Sequence, residues 1–199
     1  MVQKHSQRPV GRPREFDEEA VLESAMEAFW RKGYEATSLA DLCDCTGLHK
    51  GSLYQTFGDK HQLFMDSLRQ YAEGQFLEVA SAAFESASPL ENIRAVIGKI
   101  AERAGGEKGC MMVNTMVELA PHDPQVKAAL QGIGEKRLRF MTDLIAKAQQ
   151  AGEIRQGQDP YKLARQLMIT LAGSAAMVKG YMDGGEILET LDDLIDSWT

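Results

Sequence analysis

The sequence predicts an all-α protein of about nine helices. Three observations carry that expectation. Apolar residues recur three or four apart along nearly every segment, the spacing of one helix face. Glycine and proline punctuate the chain at helix-length intervals, and Asp or Ser stands where helices should start. No stretch alternates apolar and polar residues for long enough to make a sheet strand.

The first three helices lie between Phe16 and Lys60. Asp17 is an N-cap, with Glu18 and Glu19 in the first turn, where the helix dipole favours negative charge. Phe16 and Val21 have the spacing of a hydrophobic staple, and Val21, Leu22, Ala25, Met26 and Phe29 form one stripe. Gly33 ends this helix, and Tyr34 packs back on its last turn. A second helix starts at Thr37-Ser38, with Asp41 completing a capping box, Leu39 and Leu42 facing inward, and Gly47 making the next turn. In the third, Leu53 and Phe57 sit one turn apart and anchor the helix. Gly51 and Gln55 lie on the opposite side, flanked by Ser52 and Tyr54. A helix too short to stand alone, with a small, polar and phenolic outer face, points to a helix-turn-helix unit that reads a DNA groove. A fourth helix starts at Asp59.

The run Gly33-Tyr34-Glu35-Ala36-Thr37-Ser38-Leu39-Ala40-Asp41-Leu42, followed by Gly47-Leu48-His49-Lys50-Gly51-Ser52-Leu53-Tyr54-Gln55-Thr56-Phe57-Gly58-Asp59-Lys60, resembles the DNA-binding domain of the tetracycline-repressor (TetR/AcrR) family. Turns, caps and anchor positions recur in order over about the first third of the chain. The resemblance implies a homodimeric, ligand-responsive transcription regulator, usually a repressor: a basic arm over residues 1–14, a DNA-binding domain over 15–60 and a ligand-binding and dimerisation domain over 61–199. His49 departs from the family, which commonly has Ser or Thr capping this helix; imidazole is expected to reach a phosphate or cap an N–H instead.

Net charge is −7 over 199 residues, which argues against a protein that coats nucleic acid indiscriminately. The arm is the exception, with Lys4, Arg8, Arg12 and Arg14 and no acid before Glu15. Prolines keep it extended, which suits Arg12 and Arg14 to a minor groove; a solubilising tail is the other reading. Gln55 is the best base reader, because an amide can bond adenine bidentately. Ser52 suits a base edge or phosphate, and Gly51 permits close approach. Thr37 and Ser38 offer hydroxyls to the DNA backbone, and Lys50 a salt-dependent phosphate contact. The resemblance adds Tyr54 and Lys60 as phosphate contacts; a core aromatic and a solvated charge are the alternatives.

Beyond Lys60, helix four is expected to reach the Phe84 region, and Pro89 to stand near the start of a fifth. A sixth runs from Cys110 to Pro121, a seventh from about Pro124 to Ala151 and an eighth from Pro160, with Gly184-Gly185 separating it from the last. The eighth is apolar on more than one side, so it needs two neighbours. The last carries one stripe. Core packing and self-association are both open from these patterns, and the resemblance favours a dimer interface containing Leu167, Leu171, Ala175, Val178, Leu188, Leu191, Ile195 and Trp198.

Effector-site candidates are Phe64, Phe76, Met112, Met116, Phe140, Met168 and Met177, since Met adapts to irregular apolar ligands; plain core is the competing explanation. Cys110 joins them. A thiol at a helix start beside Lys108 is expected to ionise more readily, and Gly-Cys-x-x-Val-Asn resembles a segment from a subset of the family, some members of which sense electrophiles there. A small buried residue is the alternative. Cys43 and Cys45 lie about 200° apart on one helix and cannot share a metal.

No hydrolase elbow, phosphate loop or His-Glu-x-x-His motif occurs, and the four histidines lack metal-ligand spacing, so neither an enzyme nor a cofactor is expected. Three cysteines and the absence of a spanning helix or leader suggest the cytoplasm and no membrane. The expected partners are a double-stranded palindromic operator, a small apolar, aromatic or electrophilic effector and a second copy of the chain. The alternative is a protein of the same fold that binds DNA or other partners without a small ligand.

Overall fold

A computed structural model describes residues 16–106 and 108–199. Arg12 and Arg14 of the arm lie outside the described residues. Helix covers most of the rest, in nine elements among the described residues: α1 (Glu18–Lys32), α2 (Leu39–Thr46), α3 (Lys50–Phe57), α4 (Lys60–Ala82), α5 (Pro89–Ala104), α6 (Met111–Glu118), α7 (Pro124–Gln150), α8 (Pro160–Gly180) and α9 (Gly184–Asp196).

Most boundaries follow from caps. The Asp17 carboxylate accepts from the Glu19 and Ala20 amides, and Gly33 closes α1 at φ 84°. Ser38 and Asp41 form the reciprocal capping box of α2, and Asp59 caps α4 through the Gln62 amide. Two boundaries differ from expectation. α6 stops at Glu118, ahead of Pro121, because the Leu119 carbonyl turns to accept from the His122 and Asp123 amides. Gly184 and Gly185 do not separate helices; they are the first residues of α9, drawn into it by a capping box between Asp183 and Glu186.

The chain builds two apolar cores. One joins Val21, Ala25 and Phe29 of α1, Leu42 of α2, Leu53 of α3 and Leu63, Phe64, Leu68 and Tyr71 of α4 to Cys110, Met111, Leu119, Val126 and Leu130. The helix-turn-helix is therefore seated on α6 and the start of α7 as well as on α4. The other holds α5, α7, α8 and α9 together through Ile93, Val96, Ile145, Leu163, Leu167, Leu191, Ile195 and Trp198. α4 contributes to both, with Val79 and Ala82 in the second.

That second core corrects the interface expected from α8 and α9. Leu167, Leu191 and Ile195 have no exposure, and Leu171, Ala175 and Trp198 are nearly as deeply buried. They are taken up by intramolecular packing because they form the strongest apolar stripes, and a stripe is buried first against its own chain. Val178 is also packed partly against this core. Leu188 alone of the expected set is openly exposed, at 42%.

Candidate nucleic-acid interface and interior cavity

α3 is held from behind. Leu53 is 1% exposed against Leu42 and Leu63, whereas His49, Lys50, Gly51 and Gln55 face solvent and Ser52 and Tyr54 are half-buried. Gln55 thus presents its amide outward from a short cylinder anchored by buried Leu53 and partly buried Phe57. The Lys50 ammonium hovers 5.7 Å from the Tyr54 ring, and the Lys60 ammonium 4.3 Å from the Tyr34 ring. Both cations are therefore placed at the ends of α3 rather than swinging free. His49 is the N-cap residue by backbone, but its imidazole makes no capping hydrogen bond.

Thr37 is a correction. It has no exposure, and its hydroxyl donates to the Gly33 carbonyl at 2.6 Å, so it fastens the α1–α2 turn instead of reaching for phosphate. Ser38 is exposed, but its hydroxyl already donates to Asp41 (2.7 Å) and accepts from the Asp41 amide (3.1 Å). Asp41 is further bound to Lys32, and these bonds hold its carboxyl well below the usual range.

Four contacts tie this unit to the C-terminal helices. The Glu118 carboxylate at the end of α6 accepts from the Tyr34 amide (3.1 Å) and the Glu35 amide (2.9 Å). Gly33 is needed there: a Cβ would lie 2.9 Å from a Glu118 oxygen, and φ is positive besides. His61 Nε2 meets Asp123 Oδ2 at 2.7 Å. Trp30 Nε1 donates to the Gly109 carbonyl at 2.9 Å. Lys108 Nζ donates to both Glu27 oxygens, at 2.9 and 2.8 Å, and lies 4.0 Å from the Trp30 ring centre.

Above this joint, α4 to α8 enclose a cavity of about 360 Å³, within the range of about 300–1,000 Å³ usual for small-molecule sites. Phe76, Cys110, Met112, Met116, Phe140 and Met168 of the expected set line it. Phe76 and Phe140 meet edge to face at 5.3 Å. Met116 and Ile169 are 49% and 67% exposed, which puts the mouth between α6 and α8. Two expected residues lie elsewhere. Phe64 is 2% exposed in the N-terminal core, stacked edge-on with Phe29 and Tyr34, and Met177 points out of α8 at 41% exposure.

Cys110 sits in the cavity wall at 7% exposure, with the Tyr71 hydroxyl donating to its sulfur across 3.8 Å. The Lys108 ammonium, two residues before it, is bonded to both oxygens of Glu27. Burial, with Cys110 beside it, pushes the Tyr71 phenol up. The polar wall residues Gln75, Arg137 and Arg165 were not expected. A lone basic residue on a helix carries no sign in sequence that its head turns inward.

A short helix facing outward from a helix-turn-helix, seated on a larger helical body, is the arrangement of a DNA-binding regulator. Residues 21–66 match the family described as bacterial regulatory proteins, tetR family, and residues 87–191 match the tetracyclin repressor-like C-terminal domain. The HTH-type transcriptional repressor ComR of Escherichia coli is 32% identical over 167 residues, covering 82% of this chain and 80% of ComR. The HTH-type transcriptional regulator YezE of Bacillus subtilis is 37% identical over 123 residues, covering 59% of this chain and 62% of YezE. Among solved structures, a cysteine mutant of the TetR family transcriptional regulator CifR complexed with 26bp double-strand operator DNA superposes with a TM-score of 0.83 at 24% identity, over 95% of this chain and 100% of that one. A transcriptional regulator from Saccharomonospora viridis in complex with choline gives 0.78 at 17% identity, over 89% and 94%. The chain belongs to the tetR family of bacterial regulatory proteins: it is a DNA-binding transcription regulator and not an enzyme. No helix among the described residues is long and apolar enough to cross a membrane.

Proposed function

We propose that this regulator is a cytoplasmic homodimeric repressor that leaves a palindromic operator when a small, largely apolar molecule fills the cavity. The observation that carries the reading is α4, which is continuous from the end of the DNA-reading unit at Lys60 to the cavity wall at Gln75, Phe76 and Val79. A ligand that favours one packing of α4 against α7 and α8 also favours one spacing of the two recognition helices. Coupling of this kind typically amounts to about 1–3 kcal/mol, roughly a 5- to 150-fold change in operator affinity. Relatives named as repressors and a fold shared with an operator-bound structure support the direction of control. The cavity favours a ligand-responsive protein over an interaction protein with a filled core.

Half-site recognition needs two copies related by a two-fold axis. Beyond the cavity mouth, the face left free on α8 is narrow and of small residues: Gly173, Ala176 and Gly180 fall along one line, with Met177 beside it and Leu188 of α9 also exposed. This face, not the buried leucines, is the dimer surface. A band-shift titration on DNA upstream of the chain's own coding region, paired with sedimentation, tests both points. The wild type is expected to bind as a dimer, and Gly173→Arg to sediment as a folded monomer with operator affinity lost. A Gly173→Arg protein that remains dimeric contradicts the surface; a wild type that shows no preference for any upstream sequence contradicts the function.

A further inference from the structure

Arg137 projects from α7 into the wall of a cavity that is otherwise almost wholly apolar. Among the described residues no carboxylate lies within salt-bridge distance of it. Its neighbour Arg103 is different: that guanidinium is paired with Glu78 at 2.7 Å and stacked over Tyr71 and Trp30. Arg165, also in the wall, sits at the exposed rim. Among the described residues Arg137 has one hydrogen-bond partner, the Gln75 side-chain oxygen, to which Nη2 donates. Gln75 is 2% exposed, and its amide NH₂ donates to nothing among the described residues. Burial, opposed by the nearby Cys110 and Tyr71 groups, makes the charged form of Arg137 less favourable than it is in water.

Arg137 is half-buried, and a cation drawn partly out of water normally has its charge matched. Among the described residues no matching anion is found, and the Arg137 and Gln75 side chains, with N–H groups still to be matched, both line the cavity; a second hollow of about 320 Å³ between α4 and α7 is lined by Arg137 but not by Gln75. A planar carboxylate satisfies both: it accepts two parallel N–H bonds from a guanidinium and a third from an amide, and it cancels one charge. Apart from Arg165 at the rim, most of the remaining wall, with Phe76, Phe140, Met112, Met168 and Leu171, offers apolar contact. We propose that the cavity takes an apolar monocarboxylate, its carboxylate on Arg137 and the Gln75 amide and its hydrocarbon or aromatic body among those side chains. This rests on the effector reading above and narrows it. It also gives the ligand a handle on α4, since the Gln75 oxygen must share Arg137 with the incoming anion.

Calorimetric titration of the full chain with straight-chain carboxylates of four to ten carbons and with 3-phenylpropanoate, each beside its primary amide and alcohol, tests the assignment. At least one acid is expected to bind about ten- to a hundred-fold more tightly than its matched amide and alcohol, the range for hydrogen bonds to a charged partner. Arg137→Met should erase that difference while leaving the weak binding of the alcohol, which also shows that the cavity has survived. Arg137→Lys should keep part of the preference. Choline should not bind. Amides or alcohols that bind as tightly as the acids, a preference that survives Arg137→Met, or no binding by any acid would each overturn the proposal. The two readings separate on operator DNA. A neutral analogue that releases the operator leaves the repressor mechanism standing and removes the carboxylate. An acid that binds through Arg137 but never alters operator affinity does the reverse.

Discussion

Replacing Glu118 tests whether the DNA-reading unit is mechanically joined to the cavity domain. Its carboxylate spans from the end of α6 to two consecutive amides of the α1–α2 turn, at 3.1 and 2.9 Å. A hydrogen bond to a charged group contributes about 1.5–3 kcal/mol when shielded. Glu118 is half-buried, so water competes, and about 1 kcal/mol for each bond is the reasonable scale. Glu118→Ala is therefore expected to destabilise by about 2 kcal/mol and to lower the melting midpoint by about 4–8 °C for a chain of this size. Glu118→Gln, which keeps one acceptor oxygen without the charge, should fall between. Scanning calorimetry reads the midpoint, and operator titration of the same variants with and without a cavity ligand reads the joint. In Glu118→Ala the ligand's effect on operator affinity should shrink towards none. A variant that melts within a degree of wild type and still releases DNA on binding ligand would refute the reasoning, because the joint would then carry neither stability nor coupling.

Other expectations follow from single side chains. Leu53→Ala empties the one buried anchor of α3 and should cost about 2–5 kcal/mol, with operator binding lost even where circular dichroism still reports helix. Lys50→Ala touches an exposed residue, so the melting midpoint should stay put while the slope of log affinity against log salt falls by about one. Acid stability should follow Asp123, whose carboxyl is lowered first by the Val126 amide it caps and, against some burial, also by His61 and the Gln125 amide. A carboxyl lowered in the folded state stabilises above its unfolded value and ceases to do so as pH falls through the folded value. The midpoint should thus be flat above about pH 5 and drop below about pH 4, less steeply in Asp123→Asn.

How much of this was legible beforehand depends on whether the cause was local. Asp17, the Ser38–Asp41 box and Asp59 fix helix starts through bonds to their own next turn, and Pro124 and Pro160 through a φ already set for the first helical position, so their residues announce them. The ends of α6 and the start of α9 were misplaced because a carbonyl at Leu119 and a carboxylate at Glu186 outweighed the proline and glycines that usually punctuate. Six residues of the cavity wall were readable from residue type, yet Phe64 belongs to the other core, since nothing in a helical stripe says which neighbour it meets. Thr37 was misassigned for the same kind of reason: a hydroxyl at a helix start looks free until the Gly33 carbonyl four residues back is seen to hold it. The part-buried Arg137–Gln75 pair joins residues 62 apart, and the Glu118 bridge spans 84, so neither leaves a trace in spacing.

The outward amide of Gln55 is the point on which recognition turns. Operator titrations of wild type and Gln55→Ala, repeated on half-sites with each base pair changed in turn, measure its role directly. The account predicts that one or two positions, discriminated by about 1–3 kcal/mol in the wild type, become indifferent in Gln55→Ala while the rest of the profile survives. An unchanged profile in Gln55→Ala would mean that this face of α3 does not read bases.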